Sequence, residues 1–104
     1  MDDNTVECLI KLKNLNAPRI TVSHIDSVIN HAEYHVFPGT TTTACLITLI
    51  NGYTVLGESA CASPENFDEE LGRRIAYENA RNKIWSLEGY LLKQRLYEGS
   101  IPSA

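Results

Sequence analysis

The chain lacks the features that would assign it to a membrane or secreted protein. No apolar run approaches the roughly 20 residues that a membrane-spanning helix requires. The first residues, "MDDNTVECLI", are acidic where a secretory signal would be basic, and no long apolar stretch follows them. We therefore expect a protein that contacts no membrane and acts in the cytoplasm.

Basic residues are also few. Nine lysines and arginines stand against 13 acidic residues, which gives a formal net charge of −4. Binding to duplex nucleic acid draws on counterion release and usually requires a basic surface, so no duplex partner is expected. A pocket for one small anion needs only two or three donors, and the composition does not exclude it.

Cysteine and histidine are sparse and badly spaced for a metal site. The chain contains Cys8, Cys45, Cys61, His24, His31 and His35. The cysteines are too far apart for a CxxC motif, and the histidines have no acidic or cysteine neighbour at metal-ligand spacing. We expect reduced, mostly buried thiols, no metal and no cofactor.

Motifs of enzymatic chemistry are missing as well. There is no Walker or GxGxxG loop, and no Ser-His-Asp or Cys-His set can be assembled from local motifs. The acids Asp68, Glu69 and Glu70 suit a helix N-terminus better than a catalytic pair, because the helix dipole favours negative charge there. A non-enzymatic role is expected, with a nucleotide hydrolase as the weakest alternative.

The patterns that are present predict one α+β domain, in which a small antiparallel sheet packs with helices. The expected segments are a helical N-terminal part (1–32), a sheet (33–60), a helical C-terminal part (63–97) and a tail (98–104). In the first segment, "NTVECLIKLK" could form a short helix, and Ser23 with Asp26 resembles a capping box that opens a second. Pro38 marks "EYHVFPG" as an edge strand.

The clearest local signal is a β-hairpin centred on Asn51-Gly52. Two β-rich runs flank this dipeptide, which favours a two-residue type I′ turn. That turn would place Ile50 opposite Tyr53 and Leu46 opposite Gly57. Both faces of the hairpin are then largely apolar, so each face needs a cover.

A long helical segment follows the hairpin. Ser63 is the expected N-cap and Pro64 the first helical residue. The segment could be one helix reaching Tyr97, or a helical hairpin with a break near Ser86. Its apolar residues fall on two stripes. The first begins with small residues, which would let another backbone approach closely, and consists of Gly72, Ala76, Ala80, Ile84, Leu87 and Leu91. The second consists of Phe67, Leu71, Ile75, Trp85, Leu92 and Leu96.

Two apolar stripes and a two-sided sheet exceed what a protomer of this size can easily bury. We therefore expect a homo-oligomer built from dimers, up to a hexamer. Between the stripes lie the donors and rings Arg73, Arg74, Tyr77, Asn79, Arg81, Asn82 and Lys83. This set suits a nucleotide, because arginine forks bind phosphate, asparagine reads ribose or base edges, and aromatic rings stack on bases.

The same residues also have a purely structural interpretation. Glu70 with Arg74, and Arg74 with Glu78, are ordinary i, i+4 pairs that stabilise a helix by a few tenths of a kcal/mol. Arg73 and Arg81 could simply be solvated. Both interpretations stay open on the residue pattern.

The run "LINGYTVLGESACASPENFDEELGRRIAYENARNKIWSLEGYLLKQRL" resembles a family of small conserved tailed-phage proteins. The resemblance covers about residues 44–97 and extends to phage sponges that defeat Thoeris immunity. Those proteins combine a hairpin with helices, form oligomers, and sequester cyclic ADP-ribose isomers without cleaving them. Some also hold cyclic oligonucleotides, the signals of CBASS immunity.

The resemblance implies a ligand site in this chain. The aromatic residue after the hairpin turn would be Tyr53, which would stack on the base, and the polar residue before the long helix would be Ser63. The helix asparagine and its basic neighbour would be Asn82 and Lys83. The complete expected set is Tyr53, Ser63, Arg73, Tyr77, Asn79, Arg81, Asn82 and Lys83.

The leading hypothesis is thus an anti-defence protein that sequesters a nucleotide signal in the cytoplasm of the infected host. The alternative is a non-catalytic interaction module that inhibits a host protein through its exposed apolar stripes. In that case the arginine and asparagine residues form a solvated or partner-facing helix surface.

Overall fold

A computed structural model describes residues 18–100 of the chain. The elements are helix α1 (Val22–Val28), strands β1 (Ile29–Val36), β2 (Thr42–Leu49) and β3 (Thr54–Ala60), a 3₁₀ turn (Pro64–Asn66) and helix α2 (Glu69–Ser100). The strands form one antiparallel sheet in the order β1-β2-β3. The expected α+β class is confirmed. The short helix expected around "NTVECLIKLK" and the last four residues of the tail lie outside the described residues.

The described chain divides into two compact units. Val28–Ile84 forms the first, which contains the sheet and the first half of α2. Of the second unit, the structure describes residues 18–27 and 85–100. Within that unit, Nε2 of His24 lies 3.0 Å from Oε2 of Glu88.

The N-terminal helix starts at a different cap from the expected one. Thr21 accepts the backbone N–H of His24 on its hydroxyl at 3.0 Å and the N–H of Ile25 on its carbonyl. Thr21 is therefore the N-cap, and the capping box expected from Ser23 and Asp26 is wrong. The helix also ends earlier than expected, because β1 begins at Ile29 and not after residue 32.

Residues 37–41 connect β1 to β2 and contain a tight turn. The N–H of Thr40 donates to the carbonyl of Phe37, and the N–H of Phe37 donates to the carbonyl of Thr42. Pro38 and Gly39 occupy the centre of this turn, and Gly39 has a φ of 76°, which a type II turn requires at its third position. Pro38 thus follows the edge strand and lies outside its ladder.

The hairpin between β2 and β3 has one more loop residue than expected. The N–H of Gly52 donates to the carbonyl of Leu49, and the N–H of Leu49 donates to the carbonyl of Tyr53. These bonds enclose a three-residue loop in which Gly52, at a φ of 91°, supplies the left-handed conformation. The two-residue type I′ turn is therefore wrong, because glycine occupies the last loop position.

The extra loop residue shifts the register by one. Leu46 pairs with Leu56, not Gly57, and Ile47 pairs with Val55. Such a shift moves every side chain of one strand to the other face. Val55 therefore lies on the face of Cys45 and Ile47, whereas Leu56 joins Leu46 on the opposite face.

The core lies between one face of the sheet and the first half of α2. Alternate residues of β2 are buried, and they face a helix surface of small and β-branched residues. The buried residues in this unit include Thr43, Cys45, Ile47, Leu49, Val55, Ala76, Ala80 and Ile84. On the opposite face Leu56 keeps 49% of its surface exposed.

Helix α2 approaches β3 at backbone contact distance. A Cβ atom on Gly57 would overlap the backbone of Ala76 and Ala80. The ladder of small residues therefore does bring a backbone close, as its spacing predicts. That backbone is β3 of the same chain, so the ladder is not by itself a reason for oligomerisation.

Helix α2 begins later and continues further than the sequence indicates. Ser63 and Pro64 start only the 3₁₀ turn, and the Ser63 side chain makes no capping bond. The N-cap of α2 is Asp68, whose carboxylate accepts the N–H of Leu71 at 3.2 Å. The helix then runs through Ser86 without interruption to Ser100. Of the two alternatives, the continuous helix is the correct one.

Neither a membrane span nor a metal cluster occurs in the described part of the chain. Within residues 18–100, no helix combines the length and hydropathy needed to cross a bilayer. The same residues contain no group of three or more His, Cys, Asp or Glu side chains placed to hold a metal ion.

Candidate functional site

A groove of about 710 Å³ runs between strand β1 and the first turns of helix α2. The strand contributes Ala32, Glu33 and Tyr34, and the helix contributes Glu70, Arg73, Arg74 and Tyr77. All of these residues belong to the unit Val28–Ile84. The groove is open to solvent and brings two guanidinium groups together with two phenol rings.

Tyr34 is the centre of a small polar cluster in this groove. The residue directly opposite Tyr34 on β2 is Cys45, whose thiol is buried. Partial burial raises the pKa of Tyr34; Cys45 and then Tyr77 raise it further, and Arg73 opposes them. Burial likewise raises the pKa of the Cys45 thiol. Both groups are therefore held in their neutral forms, and Arg73 is close enough to Tyr34 to influence it.

The two arginines of the groove differ in their ion pairs. Nη1 of Arg73 lies 3.7 Å from Oε1 of Glu69, and both side chains are about half exposed. An exposed pair of this kind contributes less than about 1 kcal/mol, so an anionic ligand could replace it at little cost. Within the described residues Arg74 forms no ion pair, and the expected pairs Glu70–Arg74 and Arg74–Glu78 are not made.

The expected site residues do not form one cluster. Arg73 and Tyr77 line the groove beside β1, whereas Asn79 and Lys83 project toward β3 on the other side of the helix. The Asn79 amide donates to the carbonyl of Glu58 at 2.8 Å, and the Lys83 ammonium donates to the carbonyl of Leu56. These two side chains therefore hydrogen-bond the outer edge of the sheet.

The remaining expected residues lie elsewhere. Tyr53 directly follows the hairpin loop, with 57% of its surface exposed, and Ser63 precedes the 3₁₀ turn. Arg81 is half-buried, and that burial lowers the pKa of its guanidinium. Asn82 is exposed on α2. None of these four lines the groove.

The sequence interpretation missed Tyr34 as a groove residue and left Arg74 out of the expected site. A usable signal existed for Tyr34, because alternation along "HAEYHV" separates Ala32 and Tyr34 from His31, Glu33 and His35. Which of these two sets faces the helix depends on strand pairing, and the sequence did not settle that pairing.

A second depression, of about 430 Å³, lies between the β1–β2 loop and the 3₁₀ turn. Its lining includes Thr41, Cys61 and Phe67. The hydroxyl of Thr41 donates to the carbonyl of Cys61 and accepts the N–H of the same residue at 3.2 Å. These bonds link the loop to the end of β3, and none of the described residues that line the depression is charged. We therefore regard the groove as the candidate site.

Comparison with protein families gives a match over residues 20–96, to the family described as phage protein (N4 Gp49/phage Sf6 gene 66). The chain belongs to this family. The match covers the whole sheet and nearly all of α2, so the groove lies within it. No curated protein and no solved structure matches the chain.

Proposed function

We propose that this phage protein captures a small anionic nucleotide signal of the infected host and holds it without cleaving it. The candidate ligands are cyclic ADP-ribose isomers and cyclic oligonucleotides. Membership of a phage protein family supports a role during phage infection. The observation that carries the proposal is the groove in which Arg73 and Arg74 stand beside Tyr34 and Tyr77.

The chemistry of the groove suits a nucleotide. Arginine forks form charge-assisted hydrogen bonds with phosphate oxygens, and Arg74 has no ion pair within the described residues that would compete. The rings of Tyr34 and Tyr77 offer flat surfaces on which a base can stack. Glu70 at the border can accept hydrogen bonds from ribose hydroxyls or exocyclic amines.

A protein that removes a signal stoichiometrically must bind more tightly than the signalling concentration. We expect a Kd at or below about 100 nM, which corresponds to about −9.5 kcal/mol. Two charge-assisted contacts and one stacked base can supply that energy where the pocket is preorganised. An open groove is only partly preorganised, and a second copy that closed it would tighten binding.

An uptake assay tests this function. The protein is incubated with cyclic ADP-ribose isomers and with cyclic di- and trinucleotides, freed of unbound ligand, heated, and the released compounds are identified by mass spectrometry. Release of intact ligand supports sequestration. Release of an altered ligand contradicts it and indicates an enzyme, and no uptake of any compound contradicts nucleotide binding.

A matched pair of variants assigns the site. Replacing Arg73 and Arg74 with alanine removes two charges from the groove, and we expect the Kd to weaken at least about 100-fold. Replacing Lys93 and Arg95, which are exposed on the distal half of α2, makes the same charge change outside the groove. Equal loss in both variants would indicate general electrostatic attraction and not a site.

A third variant tests the residues expected from the sequence. Arg81→Ala with Lys83→Ala leaves the groove intact but removes the hydrogen bond to Leu56. We expect it to retain uptake within about threefold, because neither side chain lines the groove. If it loses uptake while the Arg73 and Arg74 variant retains it, the ligand binds on the other side of α2.

One observation favours a second function, inhibition of a host protein. The distal half of α2 exposes large apolar side chains; Leu87, Tyr90, Leu91, Leu96 and Tyr97 each keep between 38% and 73% of their surface accessible. Exposed apolar groups in such number are typical of protein-binding surfaces. This function predicts a bound host protein that is released by Leu91→Glu and retained by the Arg73 and Arg74 variant.

A further inference from the structure

The hydrogen bonds of β3 show which residues direct their backbone N–H and C=O groups outward at the two outer edges of the sheet. The carbonyls of Leu56 and Glu58 accept bonds from α2 side chains, so they point away from β2. In an antiparallel strand the N–H and C=O of one residue point to the same side, and successive residues alternate. Val55, Gly57 and Ser59 therefore bond to β2.

The same alternation carries across the sheet to β1. The β2 residues paired with Val55 and Gly57 are Ile47 and Cys45, so the even-numbered residues of β2 bond to β1. Their partners on β1 are His31, Glu33 and His35. The bonds from the N–H of Leu49 to Tyr53 and from the N–H of Phe37 to Thr42 agree with this assignment.

The outer edge of β1 consequently presents the N–H and C=O groups of Ala32, Tyr34 and Val36. In the part of the chain that the structure describes, no hydrogen bond reaches these groups. The other outer edge is different, since Asn79 and Lys83 occupy two of its carbonyls. An edge that is unpaired among residues 18–100 is a template for pairing with another strand.

The side chains on the exposed face of β1 suggest what pairs there. His31, Glu33 and His35 alternate along this face, and Nε2 of His31 lies 3.3 Å from Oε1 of Glu33. An antiparallel copy of the same strand can place a carboxylate opposite an imidazole, which donates a hydrogen bond in either charge state. The strand is thus complementary to itself.

Only some registers use this complementarity. Pairing Ala32 with Tyr34 of a second copy would place Glu33 opposite Glu33, which is unfavourable. Pairing Tyr34 with Tyr34 places Glu33 opposite His35 of the second copy, twice in the symmetric pair. This register also avoids the irregularity between Ile29 and His31.

We propose that two copies of this chain pair antiparallel through the outer edge of β1, with Tyr34 at the two-fold axis and Glu33 opposite His35 of the second copy. The two three-stranded sheets then form one continuous sheet of six strands. The pairing does not depend on the nucleotide proposal, because it requires no ligand.

The symmetry of this pairing has a consequence for the groove. The two-fold axis of an antiparallel strand pair in one sheet stands perpendicular to the sheet, so both copies of α2 lie on the same face. The groove beside β1 then opens toward the groove of the second copy. Arg73, Arg74 and Tyr77 from both chains would border one cleft with a floor of paired β1 strands.

The first test measures mass without ligand. We expect a species of roughly twice the 11.6 kDa monomer mass in light scattering at about 50 µM protein. Ala32→Pro removes an outward N–H from each copy, a position where an edge strand tolerates proline. We expect the dimer Kd to weaken at least about 30-fold, from two lost hydrogen bonds and the steric block between strands.

The second test exchanges charges between exposed positions and leaves the backbone unchanged. His35→Glu places like charges opposite each other twice, and we expect the dimer Kd to weaken about tenfold. The double variant Glu33→His with His35→Glu restores the opposite pairs and should return the Kd to within about threefold of the original. Circular dichroism confirms that each variant is folded.

Each outcome of these tests either supports or contradicts the proposed strand pairing. A dimer that Ala32→Pro weakens, and that the charge exchange weakens and then restores, supports the proposal. A monomer at this concentration overturns it, as does a dimer that neither Ala32→Pro nor His35→Glu weakens. If the double variant stays as weak as the single one, the Tyr34 register is wrong. Nucleotide uptake by a protein that stays monomeric would retain the proposed function and reject this pairing.

Discussion

The two outer edges of the sheet differ in their contacts with helix α2. At β3, helix α2 contacts the backbone of Gly57, and Asn79 and Lys83 bond the outward carbonyls. At β1, the helix stands away from the strand and leaves a groove of about 710 Å³ lined by Arg73, Arg74 and Tyr77. One face of the helix thus covers the β3 edge, whereas the next face borders a groove beside the β1 edge.

The difference shows how one helix can cover one edge of a sheet and leave a groove beside the other edge. Small residues set the close approach on one side, and long polar residues occupy the other side. Polar helix residues on the β3 side have structural partners in the same chain, so their presence is weak evidence for a ligand. On the β1 side, Arg73 holds only an exposed ion pair, and Arg74 forms none within the described residues.

The largest expected effect concerns the close approach at β3. Gly57→Ala would force a methyl group into the backbone of Ala76 and Ala80, and we expect a loss of about 3 kcal/mol or more in the free energy of unfolding. Urea denaturation followed by circular dichroism measures it. Gly89→Ala is the matched control, since its Cβ meets nothing within 4 Å. In a helix that change should stabilise by up to about 1 kcal/mol.

A smaller effect is expected from the side chains that bond the β3 edge. Asn79→Ala and Lys83→Met each remove one hydrogen bond, and we expect each to reduce the free energy of unfolding by about 1 kcal/mol. Arg74→Ala and Lys93→Met, on exposed positions without such bonds, should change it by less than about 0.5 kcal/mol. If all four variants unfold alike, the distinction between the two edges fails.

The smallest effect is a pH dependence at the β1 edge. The pKa of Tyr34 is raised in the folded protein, so the fold favours the neutral phenol. The stabilisation from the neutral phenol is complete at a pH below the pKa of tyrosine in the unfolded chain, about 10. It is lost as the pH rises through the pKa of Tyr34 in the folded protein. Denaturation at pH 8 and pH 11 should therefore show a smaller decline for Tyr34→Phe than for the unmodified protein.

Tyr90→Phe provides the control for this measurement, because the Tyr90 ring is 73% exposed. It should decline with pH as the unmodified protein does. Equal declines for Tyr34→Phe and Tyr90→Phe would show that the environment of Tyr34 has no energetic consequence.

Local patterns located the secondary structure well. The dipeptide Asn51-Gly52 located the hairpin, and the small residues of α2 identified the face that packs closely. The predicted register of β2 and β3 was wrong because both a two-residue and a three-residue loop can be built around this dipeptide. Since both hairpin faces are apolar, the hydrophobic pattern did not distinguish the two registers. Ser63 and Pro64 form a valid start signal, yet Phe67 and Asp68 interrupt the helix before Glu69.

The candidate site was predictable only in part. Arg73 and Tyr77 were expected, and they do share the groove. Asn79 and Lys83 were expected beside them, because they lie on the same helix at close spacing. Their separation depends on where β3 crosses under the helix, which no local pattern encodes. Tyr34 enters the site from a strand some 40 residues earlier, and only sheet pairing brings it there.

By itself, the sequence determined the α+β class, the hairpin, the helical character of the C-terminal segment and the stripe of small residues, because each depends on neighbours within a few positions. The tertiary structure alone decided the register, the partner of the small residues and the side of the helix on which each cation lies. These depend on loop length to a single residue and on the crossing of helix and sheet, and both are set by contacts between residues distant in the chain.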